Sequence, residues 1–359
     1  MKQGNKDTTV RQVYERKLQT IYQQKMIYLH FKNMLCINDH HTNPYFNLAA
    51  EEYVLKNFTE NCFMLWRNSP SVIVGRHQNT LAEINVEYVK QNNIVVVRRL
   101  SGGGAVFHDL GNLNFTFIEH SKNDRKIDFQ KYTKPVIAVL RSLGVDARFE
   151  GRNDLVIDGK KFSGNAEHVF RDRILHHGTL LFESELADLS GALNANPAKF
   201  TDKAIKSVRS RVTNISNHLK TPVDIEEFRD RVLRYMMDNY PDCVQYIYTD
   251  NDIAVISKLR DEKYVTWDWN FGQSPDYNMA NNRRTSGGNL ELYLDVQNGI
   301  IGRIRFFGDF FNIADMAELE QLLIGTPHNE TSIRRKLKEI NLSDYLVNVT
   351  MDELVCCML

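Results

Sequence analysis

Arg98-Arg-Leu-Ser-Gly-Gly-Gly-Ala-Val-Phe-His-Asp-Leu-Gly-Asn112 sets three consecutive glycines between the β-branched run Ile94-Val-Val-Val97 and a second strand. A turn without Cβ atoms lets backbone amides converge on one anion, and Arg99 adds a two-pronged donor that suits phosphate or carboxylate. The segment is not a Walker A loop, since GxxxxGK[ST] is absent, and it lacks the G-x-G-x-x-G order that opens a helix in dinucleotide-binding folds. An anion loop between two strands, set in a chain that mixes strands and helices with hairpin signals, predicts α+β with a mixed or antiparallel sheet and not a doubly wound arrangement.

Upstream, Asn43-Pro44 followed by Leu48, Ala49, Tyr53 and Leu55 has the cap, early proline and spacing of a helix running to about Phe58. Strands are expected at Cys62–Trp66 and Ser71–Val74, with a helix at Ile84–Gln91. Downstream, Phe129–Leu143 reads as a helix stopped by Gly144. Leu155–Ile157 turns at Asp158-Gly159 into a strand over Lys161–Phe170, and another strand covers His177–Phe182. Ile225, Phe228, Val232 and Met236 define an amphipathic helix, with Asp224 and Glu227 placed as a capping box. Past Asp250 a polar stretch leads to the aromatic cluster Trp267-Asp-Trp-Asn-Phe271, then to alternating strands and a helical tail. We place a boundary near residues 250–265: an N-terminal extension at 1–25, a larger domain at 26–255 and a small α+β domain at 264–359. The segment from Met26 reads as the first strand, and residues 1–25 as a loose helical extension upstream of the natural start.

A second polar concentration begins at Gly151-Arg-Asn-Asp154 and continues through Lys161-Phe-Ser-Gly-Asn-Ala166. Strand parity puts Lys161, Ser163 and Asn165 on one face and Phe162 on the core side, so that the lysine face lines solvent or a cleft. His176-His177-Gly-Thr179 opens a strand that frames the same cleft. Adjacent histidines on a strand point to opposite faces, which argues against a two-histidine metal site.

Composition restricts the options further. The chain has 359 residues, 42% hydrophobic and 25% charged, with Lys+Arg and Asp+Glu at 45 each, a length suited to about two domains. A balanced charge favours neither nucleic acid nor an anionic membrane, so any positive site is local. The five cysteines, without CxxC or Cys/His spacing, argue against a disulfide framework or structural zinc and for a reducing cytosol. No apolar run approaches the ~20 residues of a membrane span. A G-x-S-x-G elbow, H-E-x-x-H and a cysteine near either glycine motif are all missing, so a covalent nucleophile has no candidate. Carboxylate activation by ATP fits, because an ionised carboxylate attacks the α-phosphate without a base and needs only positioning and positive charge.

At these residues the sequence closely resembles the lipoate protein ligase family. The resemblance runs from Met26 and rests on Arg98–Asp109, Gly151–Asp154, Lys161–Ala166, His176–Thr179, Ser207-Val-Arg-Ser-Arg-Val-Thr-Asn214 and Trp267-Asp-Trp-Asn-Phe-Gly272. It implies a large catalytic domain of the biotin ligase and class II synthetase-like type followed by a small accessory domain. It also implies two half-reactions: lipoate and MgATP give lipoyl-AMP, and an acceptor lysine then takes the lipoyl group. Carried over position by position, Lys161 matches the essential lysine and touches both adenylate and lipoate. Arg99 and Ser101 border the lipoate carboxyl end, with Gly102, Gly103 and His108 beside the acyl chain. Gly104, Ala105, Val106 and Phe107 contact the nucleotide, and Asn112 and Asp154 complete the adenylate pocket, Asp154 being a weak candidate for Mg²⁺. His108 alternatively orients the loop from the core. The implied acceptors are the glycine cleavage H protein and the lipoyl domains of E2 subunits, and the implied protein is a cytoplasmic monomer without nucleic-acid or membrane partners. One rival is an acyltransferase moving octanoyl or lipoyl groups between carriers through an acyl-cysteine. A second is a non-catalytic lipoyl-domain docking module, which loss of Lys161 or Arg99 would favour; both are present.

Overall fold

A computed structural model describes residues 34–359 apart from 79, 122–127, 194–211, 241, 273–278 and 298. The expected strand from Met26, the extension at 1–25 and Ser207–Arg211 lie outside the described residues. The strands in chain order are β1 (Met34–Asn38), β2 (Asn61–Trp66), β3 (Ser71–Val74), β4 (Val95–Arg98), β5 (Val106–His108), β6 (Asn112–His120), β7 (Ala147–Glu150), β8 (Asp154–Ile157), β9 (Lys160–Phe170), β10 (Arg173–Leu181), β11 (Cys243–Tyr246), β12 (Met279–Thr285), β13 (Gly288–Gln297) and β14 (Ile300–Gly308). Eight of them form one mixed sheet in the order β11-β1-β2-β6-β10-β9-β8-β7, parallel only where β1 meets β11 and β2. A second sheet, β4-β3-β5, carries the glycine loop, and β12-β13-β14 is an antiparallel meander in a small C-terminal body. This is the α+β architecture with a large mixed sheet that the strand and helix mixture predicts.

Both faces of the large sheet are covered, so alternate residues of its central strands feed two cores. Leu113, Phe115 and Phe117 of β6 meet helices Phe129–Ser142 and Ile225–Asn239 on one side. Ile118 and Trp66 meet helix Pro44–Asn57 on the other. That helix starts where Asn43 accepts hydrogen bonds from the Tyr45 and Phe46 amides at 2.9 and 3.1 Å, satisfying donors that have no intrahelical partner. Asp158 and Gly159 both have positive φ, 50° and 73°, as a two-residue hairpin between β8 and β9 requires. At Ile225 only half of the capping box forms: Asp224 accepts from the Glu227 amide at 2.8 Å, while the Glu227 carboxylate turns along the helix to Arg231.

Two expectations are corrected. Cys36 and Cys243, 207 residues apart, are joined in a disulfide across β1 and β11 with Cα atoms 6.3 Å apart. Parallel pairing of a late strand with the first sets Met34 opposite Cys243 and brings Cys36 alongside, a proximity that cysteine spacing does not encode. The cysteines therefore carry no argument about compartment. The aromatic cluster is the second case. Tyr264 and Trp269 belong to the core under helix Pro44–Asn57, tied there by Tyr53 Oη donating to Asp252 at 2.5 Å and Lys263 reaching Glu52 at 2.6 Å. Residues 264–271 thus serve the large body, whereas their place in the sequence groups them with the small one. Among the described residues no helix is long and apolar enough to cross a membrane.

Candidate active site

Lys161 projects from β9 with its side chain 39% exposed and its Nζ 2.8 Å from Asp154 Oδ1. A Cβ built on Gly164 would stand 3.1 Å from that Nζ, so the missing side chain is what leaves room for the ammonium. The face differs from the parity expectation. A register shift between Leu155 and Val156 pairs Lys161 with Val156 but Ser163 with Leu155, and such a bulge turns the residues beyond it to the opposite side. Lys161 shares its face with Asp154 and Gly164. Ser163 and Asn165 point the other way, where Asn165 Nδ2 donates to Ser163 Oγ at 3.3 Å. The polar face expected of Lys161, Ser163 and Asn165 is therefore divided between the two sides of the sheet.

The consecutive arginines are both buried, and strand parity sends them to different tasks. Arg98 donates to the carbonyls of Gly75, Gln78, Trp269 and Asn270 at 2.7–3.1 Å. Arg99 donates from Nε to Ser101 Oγ at 3.0 Å, and from its two Nη atoms to Ile73, Gly102 and Gly104 carbonyls at 3.0, 2.6 and 2.8 Å. Burial lowers its pKa to about 10, with Glu51 opposing, which leaves it charged at neutral pH. Arg99 is thus an internal brace of the glycine loop, four of its hydrogen bonds running inward to Ser101, Ile73, Gly102 and Gly104. Gly103, with φ +88°, holds the turn that presents the loop.

Ser101 is fully buried beneath the loop, its Oγ 2.6 Å from His177 Nε2. His108 lies in the core, hydrogen-bonded through Nδ1 to Asn68 at 3.1 Å, and burial lowers its pKa to about 3. It supports the loop from behind, which favours the packed alternative for this residue. On β6, Asn112 and Asn114 pair with Leu181 and Thr179 of β10. Both are buried, and Asn112 Oδ1 and Asn114 Nδ2 have no hydrogen-bond partner among the described residues. Since buried polar atoms are nearly always paired, two orphans side by side mark a place where a polar ligand completes the set. Asn114, Thr116 and Glu51 escape the sequence reading; the signal was the alternation Asn112-Leu-Asn-Phe-Thr-Phe117, which puts every polar residue on one face.

His176 and His177 do point to opposite faces. His176 is sealed among Phe115, Phe129 and Tyr132, 2.9 Å from Glu167 Oε1. Burial drives the imidazole pKa well down and raises Glu167 to about 8, so at neutral pH a protonated Glu167 can donate to a neutral ring. A carboxyl whose pKa is raised on folding contributes stability that is complete below the unfolded value and lost as pH climbs through the folded one. Wild type should therefore lose a few kcal/mol between about pH 5 and 9 through this group, and Glu167→Gln should flatten that slope in denaturant melts across pH.

The small body closes over the loop. Gly103 N–H donates to Phe310 O at 3.2 Å, Gly308 N–H to His77 O at 2.6 Å, and His77 Nε2 meets Asn312 Oδ1 at 2.8 Å. Arg152, second in the Gly-Arg-Asn-Asp motif, donates to the carbonyls of Gly287 and Asp309 and stacks on Phe311 at 4.7 Å. Asn153 Nδ2 holds Asn165 O at 2.6 Å, and Asp154 holds Lys161; each residue of the motif thus has its own task. A Cβ on Gly102 would stand 2.3 Å from Phe310 O. Gly102→Ala is expected to push the small body off the loop and cost about 1–3 kcal/mol. Hydrogen exchange should then quicken at the Gly103 and Gly308 amides; unchanged exchange would contradict this packing.

Among the described residues the cleft combines the exposed Lys161 ammonium with a braced loop of glycine amides and no reactive thiol, as in an acyl-activating ligase. The cysteines lend no support to an acyl-cysteine enzyme: Cys36 and Cys243 are bonded to each other, Cys62 is buried and its thiol pushed up to about 12 by desolvation, and Cys356 and Cys357 sit in the last helix. The chain belongs to the lipoate–protein ligase family. Residues 43–237 match the lipoyl protein ligase A/B catalytic domain and residues 274–358 the bacterial lipoate protein ligase C-terminus. It is 43% identical over 328 residues to lipoate-protein ligase LplJ of Bacillus subtilis, covering 89% of this chain and 98% of that one. Among solved structures it is similar to P. falciparum LipL1 in complex with lipoate, at TM-score 0.74 and 27% identity over 86% of this chain and 95% of that one. It is also similar to the bipartite archaeal lipoate protein ligase of Thermoplasma acidophilum studied with its E2 lipoyl domain, at TM-score 0.61 and 30% identity over 69% and 100%. A lipoate-protein ligase A bound with ATP aligns at TM-score 0.58 and 28% identity over 68% and 99%.

Proposed function

We propose that this ligase joins lipoate to ATP in the cleft between β9, β10 and the glycine loop, with Lys161 at the reacting centre, and then passes the lipoyl group to a lysine of an acceptor protein. The carboxylate oxygen of lipoate attacks the α-phosphorus, pyrophosphate departs, and the adenylate is left with an acyl carbonyl and a phosphate within reach of one cation. The observation that carries this reading is the Lys161 ammonium, half in solvent and held over Gly164 by a single carboxylate, Asp154. A compact ammonium on a flexible stem can leave Asp154 and take both oxygens as their charge grows, without being acylated. The orphaned amides of Asn112 and Asn114 suit the hydrogen-bonding edge of the nucleotide or its ribose.

Mg²⁺ would accompany ATP as its counter-ion. No group of three or more metal-binding side chains occurs among the described residues, and Asp154 fits the lone carboxylate that such an ion takes when phosphate oxygens and water supply the rest. Held there, the ion would supply positive charge to the pyrophosphate oxygens, while Lys161 and the loop amides hold the acyl phosphate. The acceptors are the H protein and E2 lipoyl domains, the setting is the cytoplasm, and the protein acts as a monomer. The test is to incubate the protein with lipoate, MgATP and an unlipoylated lipoyl domain and to record intact mass beside pyrophosphate release. An ATP-dependent lipoyl mass gain supports the reading, and acyl transfer from a loaded carrier without pyrophosphate would sink it.

A further inference from the structure

Arg98 ends β4, the strand that leads into the glycine loop, and the order β4-β3-β5 leaves β4 at an edge of its sheet. Arg99 N–H faces β3, donating to Val74 O at 3.0 Å, so the N–H and C=O of Arg98 face outward. Side chains of the 264–271 segment close that edge. Arg98 N–H donates to Asn270 Oδ1 and Arg98 O accepts from Trp269 Nε1, both at 2.9 Å, which are the two bonds a further strand would have made. Asn270 is fixed in turn by its amide nitrogen, which donates to Tyr264 O at 2.6 Å and Thr266 O at 3.0 Å. The wholly buried Arg98 side chain grips the same segment through the Trp269 and Asn270 carbonyls, and from there reaches the carbonyls of Gly75, Arg76 and Gln78 and the hydroxyl of Thr80. The charges that bear on it are those of Arg76, Arg99 and Arg305, so carbonyl acceptors and not a counter-ion keep it there.

The 75–78 turn that Arg98 holds lies directly against the glycine loop. Arg76 N–H donates to Ser101 O at 2.8 Å, and a Cβ on Gly75 would stand 2.0 Å from Gly103 O, so turn and loop pack backbone on backbone. Arg76 also lays its guanidinium 4.6 Å from the centre of the Trp269 ring. Strand end, turn and loop thus share one anchor, and it grips main-chain atoms. We infer that Asn270 and Trp269 are positioning residues of the adenylation step: they fix the end of β4 and the turn beside it, so that the glycine loop holds its shape before the substrates arrive. Both act through Arg98. A loop that must find its shape after binding gives up the advantage of donors already in place, and the reaction slows by that amount. The inference rests on the reading in which the loop amides hold the acyl phosphate.

Two substitutions at one residue separate positioning from stability alone. Asn270→Leu keeps the volume and removes every tie of the side chain. Asn270→Asp loses the donor to Tyr264 and Thr266 as well, but keeps an oxygen for Arg98 N–H. Both should lower the unfolding midpoint. Pyrophosphate release from lipoate and MgATP is then measured per folded molecule. In Asn270→Leu, kcat/KM for lipoate should fall on the order of 10²-fold, the loss that a displacement of about 1 Å brings, and Asn270→Asp should recover most of it. Trp269→Phe keeps a ring for Arg76 and removes the donor to Arg98 O; it should move kcat/KM in the same direction, and it serves if Asn270→Leu does not fold. Unchanged kcat/KM in the Leu or Phe variant, or equal loss in Asn270→Asp and Asn270→Leu, would overturn the assignment. Failure of the cleft reading shows itself separately, as normal pyrophosphate release in Lys161→Ala.

Discussion

Lys161→Ala is expected to lower pyrophosphate release from lipoate and MgATP on the order of 10²–10³-fold, as loss of one preorganised charge at a developing oxyanion does. Stability should barely change. The lysine and its partner Asp154 are 39% and 36% exposed, and a pair that open to water is worth about 0–1 kcal/mol. Stopped assays of pyrophosphate, set beside denaturant melts, separate the two effects: a fall in rate without a fall in stability places Lys161 in the chemistry. An unchanged rate would remove it, and with it the reading of the cleft.

Arg99→Lys should be more damaging than its charge conservation implies. Four hydrogen bonds run from one planar guanidinium to Ser101, Ile73, Gly102 and Gly104, and an ammonium cannot reach four acceptors spread around a plane. The carbonyls left unpaired in the core should cost on the order of 3 kcal/mol. Burial already pulls the Arg99 pKa down to about 10. The same burial acting on a lysine, whose ordinary pKa near ~10.4 is far lower than that of arginine, would bring it toward neutrality and weaken the bonds that remain. We expect a lower unfolding midpoint together with a raised KM for lipoate, because the loop that presents Gly102 to Gly104 is no longer held. A normal KM would show that the glycine loop keeps its shape without its brace.

Much of the local structure was legible because it depends on local rules. Asn43-Pro44, Asp158-Gly159 and Gly144 each specify a cap, a hairpin or a stop from neighbouring atoms alone, and the elements begin or end at those residues. The glycine triplet and Lys161 stood out for a similar reason, since unusual residue types gather where a chain approaches a ligand. Legibility failed where one register step or one distant strand intervened. Parity counting from Lys161 is sound until the register shift at Leu155 reverses it, and two cysteines 207 residues apart become neighbours only through a parallel strand pair.

The amino-acid sequence by itself determined the class of fold, the family, and which segments concentrate the chemistry, because periodicity, turn residues and motif order are properties of short stretches. Tertiary structure alone decided what those residues do. It turned Arg99 inward as a brace, gave Arg152 to the small body, and set Trp269 and Asn270 against the end of β4. Hydrogen-bond partners and buried faces are fixed by strand register and sheet order, and no spacing along the chain encodes either.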